Sequence, residues 1–443
     1  MTARRMRLGM SMRGIGYHIA AWRHPDTPAG GQMELDFYAR VVAAAERGLF
    51  DMVFLADGIA VRATDDPPGS MSRGATNVVD LEPLTLLAAL APLTRRIGLV
   101  ATASTTYNEP YHIARKFASL DHLSGGRAGW NAVTSWTDEE ARNFNRDTHL
   151  DYGTRYDRAA EFLQVVRGLW DSWEPDAFTR DKASGIFFDP SKMHRLDHKG
   201  RFFQVRGPLN VAPCPQGHPV VVQAGASDQG RELAAATADV IFAASQRLED
   251  AQAYYADVKR RCLAYGRSPD DLKVLPGLSV IVGRTEREAR DKLEALQALI
   301  DPLLGLAALS RIMGDLSGHD VDGPVPEPVN PPIRSRAEVL HKLARQEGLT
   351  IRQLYLRTVV SSGHRSVVGT PAQVADAMEH WFTSGAADGY NILPAQQPNG
   401  IEDFVELVVP ELQRRGLFRT EYEGRTLREN LGLPDWKAVR AAG

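Results

Sequence analysis

Residues 220–244 read VVVQAGASDQGRELAAATADVIFAA. Three successive valines predict a strand buried on both faces, because a half-exposed strand would alternate apolar with polar residues. The run ends on Gln223 and opens into small residues as far as Ser227. A helix-like segment, GRELAAATA, follows, and a second apolar run, DVIFAA, comes straight after it. Strand, helix and strand joined this tightly make a parallel βαβ unit.

Apolar runs of the same kind recur on both sides. They are MRLGMSM (6–12), MVFLAD (52–57), IGLVATAST (97–105), RAGWNAVTS (127–135), VLPGLSVIVG (274–283) and GYNILP (389–394). Helical patterns lie between them, such as LDFYARVVAAAERG, LEPLTLLAALAPL, YHIARKFASLDHLSGG and VADAMEHWFTSG. Eight strands alternating with helices predict an α/β fold, a (β/α)8 TIM barrel. Thr285 with Glu288, and Thr370 with Pro371 and Gln373, mark two helix starts. Two spans break the pattern and read as long insertions in one barrel domain covering 1–443: about 171–218 and 301–366. The second contains DGPVPEPVNPPIRSR. Loops of this length serve as lids or binding walls, and the proline-rich piece is the expected lid.

Composition narrows the class. Hydrophobic residues make up 43% and charged residues 24%, with a formal charge of −3. That balance suits a soluble globular protein and gives no reason to expect nucleic acid or an anionic membrane as partner. No apolar run approaches the roughly 20 residues of a membrane span. The basic N-terminus lacks the apolar stretch of a secretory signal, so a cytoplasmic location is expected. Cys214 and Cys262 fall in no metal-binding or redox spacing.

Barrel chemistry gathers at the C-terminal ends of strands. The polar residues there are Asp57, Thr102 with Ser104, Asn131 with Ser135, and Gln223 with Ser227. Capping of the next helix accounts for any one of them, but their recurrence from strand to strand points to a shared site. After the fifth strand, small residues would let a ligand approach the backbone, and the amides of a helix N-terminus favour an anion. Ser227 adds a hydroxyl, Arg231 a positive charge, and Gln223 an amide for a planar heterocycle. The spacing is neither a Walker A loop nor a dinucleotide fingerprint, so it supports a phosphate-bearing ligand and nothing finer. His18, in GYHIAAWRHP after the first strand, is a candidate proton donor or hydrogen-bonding group. Trp130 and Trp136 bracket the fourth strand's end as core or wall residues, and the Tyr156 hydroxyl can reach toward the mouth. His194 and His198 are four apart but lie in an irregular insertion, and no metal is expected.

GRAGWNAVTSW, RYDRAAEFLQVVRGLWDSW, HKGRFFQVRGPLN, PQGHPVVVQAGASDQGRELAA and the C-terminal VVGTPAQVADAMEHWF, GAADGYNILP and VVPELQRRGLFRTEYEGRTLRENLGL resemble the bacterial-luciferase-like flavin monooxygenases. The resemblance is to the group of nitrilotriacetate, EDTA, dibenzothiophene-sulfone and pristinamycin-synthesis monooxygenases. It implies a barrel that takes FMN in its reduced form, FMNH2, from a separate NAD(P)H-dependent flavin reductase and uses O2. Asp57, Thr102, Asn131, Ser135, Tyr156, Ala226 and Ser227 stand where such proteins hold the flavin and its phosphate, and His18 stands near the reactive edge of the ring. A homodimer or homotetramer is implied. Trp136 departs from relatives that carry histidine there. The implied substrate is a small N- or S-containing compound, either a nitrilotriacetate-like aminopolycarboxylate or an organosulfur compound. The first would call on Arg62, Arg73, Arg334 or Arg365, and the second on Trp22, Met10 or Trp136. A deazaflavin-dependent dehydrogenase and a non-catalytic flavin-binding protein are the rival readings.

Overall fold

A computed structural model describes residues 4–61, 65–75, 78–332, 334–359 and 363–436. Eight parallel strands close into a barrel: Arg7–Met12, Met52–Leu55, Gly98–Ser104, Ala128–Val133, Val220–Gln223, Val240–Ala243, Lys273–Val282 and Gly389–Pro394. Each lies within one of the eight apolar runs, to within a residue. Gly9 of the first strand pairs with Met52 on one side and Asn391 on the other. The seventh strand closes the ring, with Lys273 beside Val240 and Gly277 beside Asn391. No single helix among the described residues is long and apolar enough to cross a membrane.

Alternation along the strands builds two cores. Leu99, Ala101 and Ala103 face the surrounding helices, in one cluster with Phe117, Trp130 and Phe162. Met52, Phe54, Val100, Val220, Val222, Val240 and Leu275 fill the lower lumen. The C-terminal segment seals that end, with Leu427, Leu431 and Leu433 packed into the lumen cluster. Gly98 must be glycine here, since a Cβ would lie 2.4 Å from Leu427 Cδ1. Two buried ion pairs hold the plug: Arg419 with Asp51, and Arg428 with Asp239 at 3.1 Å. The N-terminal ends of the strands are therefore closed by apolar packing, and ligands must enter at the other end.

The span 301–366 differs from the irregular, loop-like insertion expected of it. It forms helices Pro302–Met313, Arg334–Glu347 and Ile351–Thr358, which share an apolar cluster that includes Leu306, Leu309, Leu354 and Tyr355. The periodic run PLLGLAALSRIM carries this core, and its proline-rich neighbour drew the reading away from it. The cluster also takes in Ile19 and Ala20, which fastens the helices to the loop bearing His18. A ninth strand, Arg365–Gly369, pairs with Leu278–Val282 and extends the seventh strand's wall at the mouth. Thr370 and Gln373 form a full capping box, whereas Glu288 reaches the amide of Arg284 instead of that of Thr285.

Candidate active site

Thr102 and Ser104 share the lumen face with Val100, two residues apart. The Thr102 hydroxyl donates to Leu55 O at 2.5 Å and accepts from Asn131 Nδ2 at 2.8 Å. This chain fixes the Asn131 amide and leaves its Oδ1 buried with no protein donor. An unsatisfied buried acceptor is costly, so its retention is a mark of ligand recognition. Ser104 Oγ meets Ser135 Oγ at 2.9 Å, and Ser135 holds a left-handed φ of 55°. Non-glycine residues in that region store strain, often at functional sites. The Ser135 carbonyl accepts from Arg155 Nη1 at 3.0 Å.

Arg155 leads to the candidate anion-binding end. It lies on helix Tyr152–Trp170 with Tyr152 and Tyr156, and its Nε is buried without a partner. The Tyr152 and Tyr156 rings are 5.0 Å apart, and the Ser227 side chain lies close enough to the Tyr156 hydroxyl to offset part of the pKa rise that burial causes. Ser227 caps helix Asp228–Thr237, accepting from Gly230 N at 3.2 Å. Gly225 and Gly230 touch so closely that a Cβ on Gly225 would lie 2.7 Å from Gly230 Cα. Hydroxyls, a guanidinium and the first-turn amides of the helix thus converge, which is the donor set of an anion site.

Several expected residues are placed differently. Gln223 turns outward, and its Nε2 donates to Thr237 Oγ1 at 2.9 Å, so it presents no amide to the lumen. Arg231 bonds Ala226 O at 2.9 Å and Asp257 at 3.1 Å, which spends its charge away from the anion site. Arg155 and Tyr152 pack against Tyr156 instead. Their spacing from Tyr156 puts all three on one helix face, a signal the sequence carried. Asp57 is half-buried two residues beyond the second strand, and Ala226 is exposed just before Ser227. Trp130 is core, with its Nε1 on Ala103 O at 3.0 Å, whereas Trp136 is 67% exposed at the rim. Met10 is buried in the helix-facing core, while Trp22 lines a cavity beside His18. Arg73 pairs with Asp301 at 2.7 Å, Arg334 with Glu338 at 3.2 Å, and Arg365 lies on the Trp381 ring at 4.6 Å. Arg62 lies outside the described residues. His194 and His198 each bond a glutamate, Glu174 and Glu161, at 3.0 Å. No cluster of metal-ligand type occurs among the described residues.

His18 is 1% exposed, and its Nδ1 accepts from Ala20 N at 3.3 Å. The neutral ring therefore carries its proton on Nε2, which has no protein acceptor and is a ready donor. Burial holds its pKa down to about 4. An unfolded histidine titrates near 6.5, so between those values the unfolded chain takes the proton first, and stability falls as pH falls. Denaturation at pH 7 and pH 4.5 should show wild type losing about 2–3 kcal/mol more than His18→Asn. Equal losses would mean that His18 is not held neutral.

Fold and candidate site together define a barrel whose polar side chains gather at the C-terminal mouth, with anion-type donors on one flank and a buried neutral histidine on the first-strand loop. Residues 16–388 match the luciferase-like monooxygenase family model, and the chain belongs to that family. It is 52% identical over 438 residues to nitrilotriacetate monooxygenase component A of Aminobacter aminovorans, covering 97% of each chain. It is 49% identical over 436 residues to N-acetyl-S-(2-succino)cysteine monooxygenase of Bacillus subtilis (strain 168), again covering 97% of each. The solved structure of riboflavin lyase with modified FMN and riboflavin superposes with a TM-score of 0.83 at 32% identity, covering 97% of this chain and 96% of that one. The protein is a monooxygenase, an oxidoreductase acting with oxygen.

Proposed function

We propose that the protein is the oxygenase of a two-component system: it takes FMNH2 from a separate NAD(P)H-dependent flavin reductase and oxygenates a small N- or S-containing carboxylate. The observation that carries this reading is the row of polar groups at the strand ends, with Asn131 bonded to Thr102, Ser104 to Ser135 and the Ser135 carbonyl to Arg155, leading to Tyr156 and Ser227. It pairs a phosphate-type seat with a lumen-facing acceptor, as a flavin mononucleotide requires. Ser227, Tyr156, Arg155 and the amides beside Ala226 would hold the phosphate, and Asn131, Thr102, Ser135 and Asp57 the rest of the cofactor. When bound, FMNH2 would supply the two electrons by which one atom of O2 is reduced to water while the other enters the substrate. His18 offers its Nε2 proton as a hydrogen bond at the reacting edge. The helical module of 301–359, tied to the His18 loop through Ile19 and Ala20, shields the mouth from water.

The "component A" in one relative's name supports a separate electron-supplying partner. The two substrates named by the relatives, nitrilotriacetate and N-acetyl-S-(2-succino)cysteine, both carry several carboxylates close to a nitrogen or sulfur. Anaerobic titration with FMNH2 and with a reduced deazaflavin separates this reading from the dehydrogenase. FMNH2 should bind at least roughly 10-fold tighter, which is 1.4 kcal/mol. Tighter binding of the deazaflavin would overturn the proposal.

A further inference from the structure

The seventh and eighth strands carry none of the residues assigned to the flavin, yet their ends border a cavity of about 150 Å³. It lies against helix Glu286–Ala298, and its apolar walls are Val280, Ile281, Val282, Leu296 and Ala395. An aliphatic cavity of about this size accommodates a benzene ring. His24, Asp26, Lys292, Asn399 and Asp403 add a polar side to the lining. His24 and Lys292 also line an open depression of about 410 Å³, and the two spaces meet at those side chains. An apolar chamber with a few polar groups at its opening is the usual build of a small-molecule site.

The polar groups decide which small molecule fits. Lys292 Nζ donates to Val282 O at 3.0 Å and to Asp403 Oδ2 at 2.7 Å, and lies 3.4 Å from Glu288 Oε1, so its three protons are spent. Asp26 is held by its Oδ2, which accepts from Asn399 Nδ2 at 3.0 Å, and its own N donates to His24 Nδ1 at 3.2 Å. The second oxygens of Asp26 and Asp403 accept from no donor among the described residues. Two carboxylates facing one spent ammonium leave the lining short of positive charge. We propose that the cavity is a binding site for a small primary amine, with its apolar body among Ile281, Leu296 and Ala395 and its ammonium directed to the Asp26 and Asp403 carboxylates. An acid of the same shape meets two carboxylates and no unspent cation, so the site selects by charge. This inference goes beyond the oxygenase reading and does not rest on it.

The test uses three probes of one shape, benzylamine, benzyl alcohol and benzoate, titrated calorimetrically at pH 7 into the protein with and without saturating FMN. Benzylamine should bind with a Kd at or below about 1 mM, unchanged by FMN. It should bind at least about 5-fold tighter than benzyl alcohol, and benzoate should be weaker still. Leu296→Phe fills the chamber and should weaken benzylamine and benzyl alcohol alike, at least roughly 10-fold. Asp26→Asn combined with Asp403→Asn should erase benzylamine's lead and leave the affinity for benzyl alcohol in place. The site is overturned if benzylamine does not bind saturably, if FMN displaces it, or if benzyl alcohol or benzoate binds as well. It is also overturned if Leu296→Phe changes nothing or if the double replacement keeps the lead. Should Leu296→Phe fail to fold, the double replacement decides, since the Asp26 and Asp403 side chains are 62% and 33% exposed and sit outside the packed core.

Discussion

Ser227→Asp is expected to weaken FMNH2 binding roughly 30- to 150-fold while leaving the protein folded. The choice of residue separates charge from structure. Aspartate caps helices as well as serine does, so the bond to Gly230 N survives and helix Asp228–Thr237 keeps its start. What changes is a new carboxylate where the phosphate would sit. Two unit charges about 4 Å apart repel by about 4 kcal/mol at an effective dielectric of 20, and solvent at this half-buried position reduces that to about 2–3 kcal/mol. Tyr156→Phe removes one hydroxyl from the same seat without adding charge and should cost only about 1 kcal/mol. Fluorescence titration under anaerobic conditions reads both. Unchanged affinity in Ser227→Asp would remove the phosphate from this loop.

Asp51→Ala has the largest expected effect on stability, about 3–5 kcal/mol. The Asp51 carboxylate is fully buried, accepts from Leu8 N at 2.7 Å and pairs with Arg419, itself 2% exposed. Its loss strands a buried guanidinium beneath the barrel, where the C-terminal plug meets the strand ends. Replacing both partners, Asp51→Leu with Arg419→Met, should be much milder, because neither charge is then buried alone. Thermal unfolding compares the variants. A double replacement as damaging as the single one would show that the pair acts through packing. The site is at the far end of the barrel from Ser227, so the folded fraction should keep its flavin affinity.

The barrel was legible because doubly buried strands cannot alternate, and eight such runs stood between helical patterns. Ser227, Thr102, Asn131 and Ser135 stood out because polar residues at strand ends are conspicuous against apolar runs, and Tyr156 because it opens the helix that follows them. Gln223 shows the limit. It ends the same strand as Val220 and Val222, but a single step along a strand reverses the face, and its amide points to Thr237 outside the barrel. Which face is inward depends on the ring, and the ring is a long-range fact. Arg231 was misjudged because helix Leu248–Cys262 brings Asp257 against it from 26 positions away. The helices of 301–359 were hidden by the prolines between them.

The account stands on one measurement above the others: oxygen incorporation from ¹⁸O2 with nitrilotriacetate, N-acetyl-S-(2-succino)cysteine and a panel of related N- and S-containing acids, with FMNH2 supplied by a generic flavin reductase. Mass spectrometry should find one labelled oxygen atom in the product of at least one compound, with FMNH2 and O2 consumed in equal amounts. Products free of label across the panel, with all the O2 recovered as hydrogen peroxide, would contradict it.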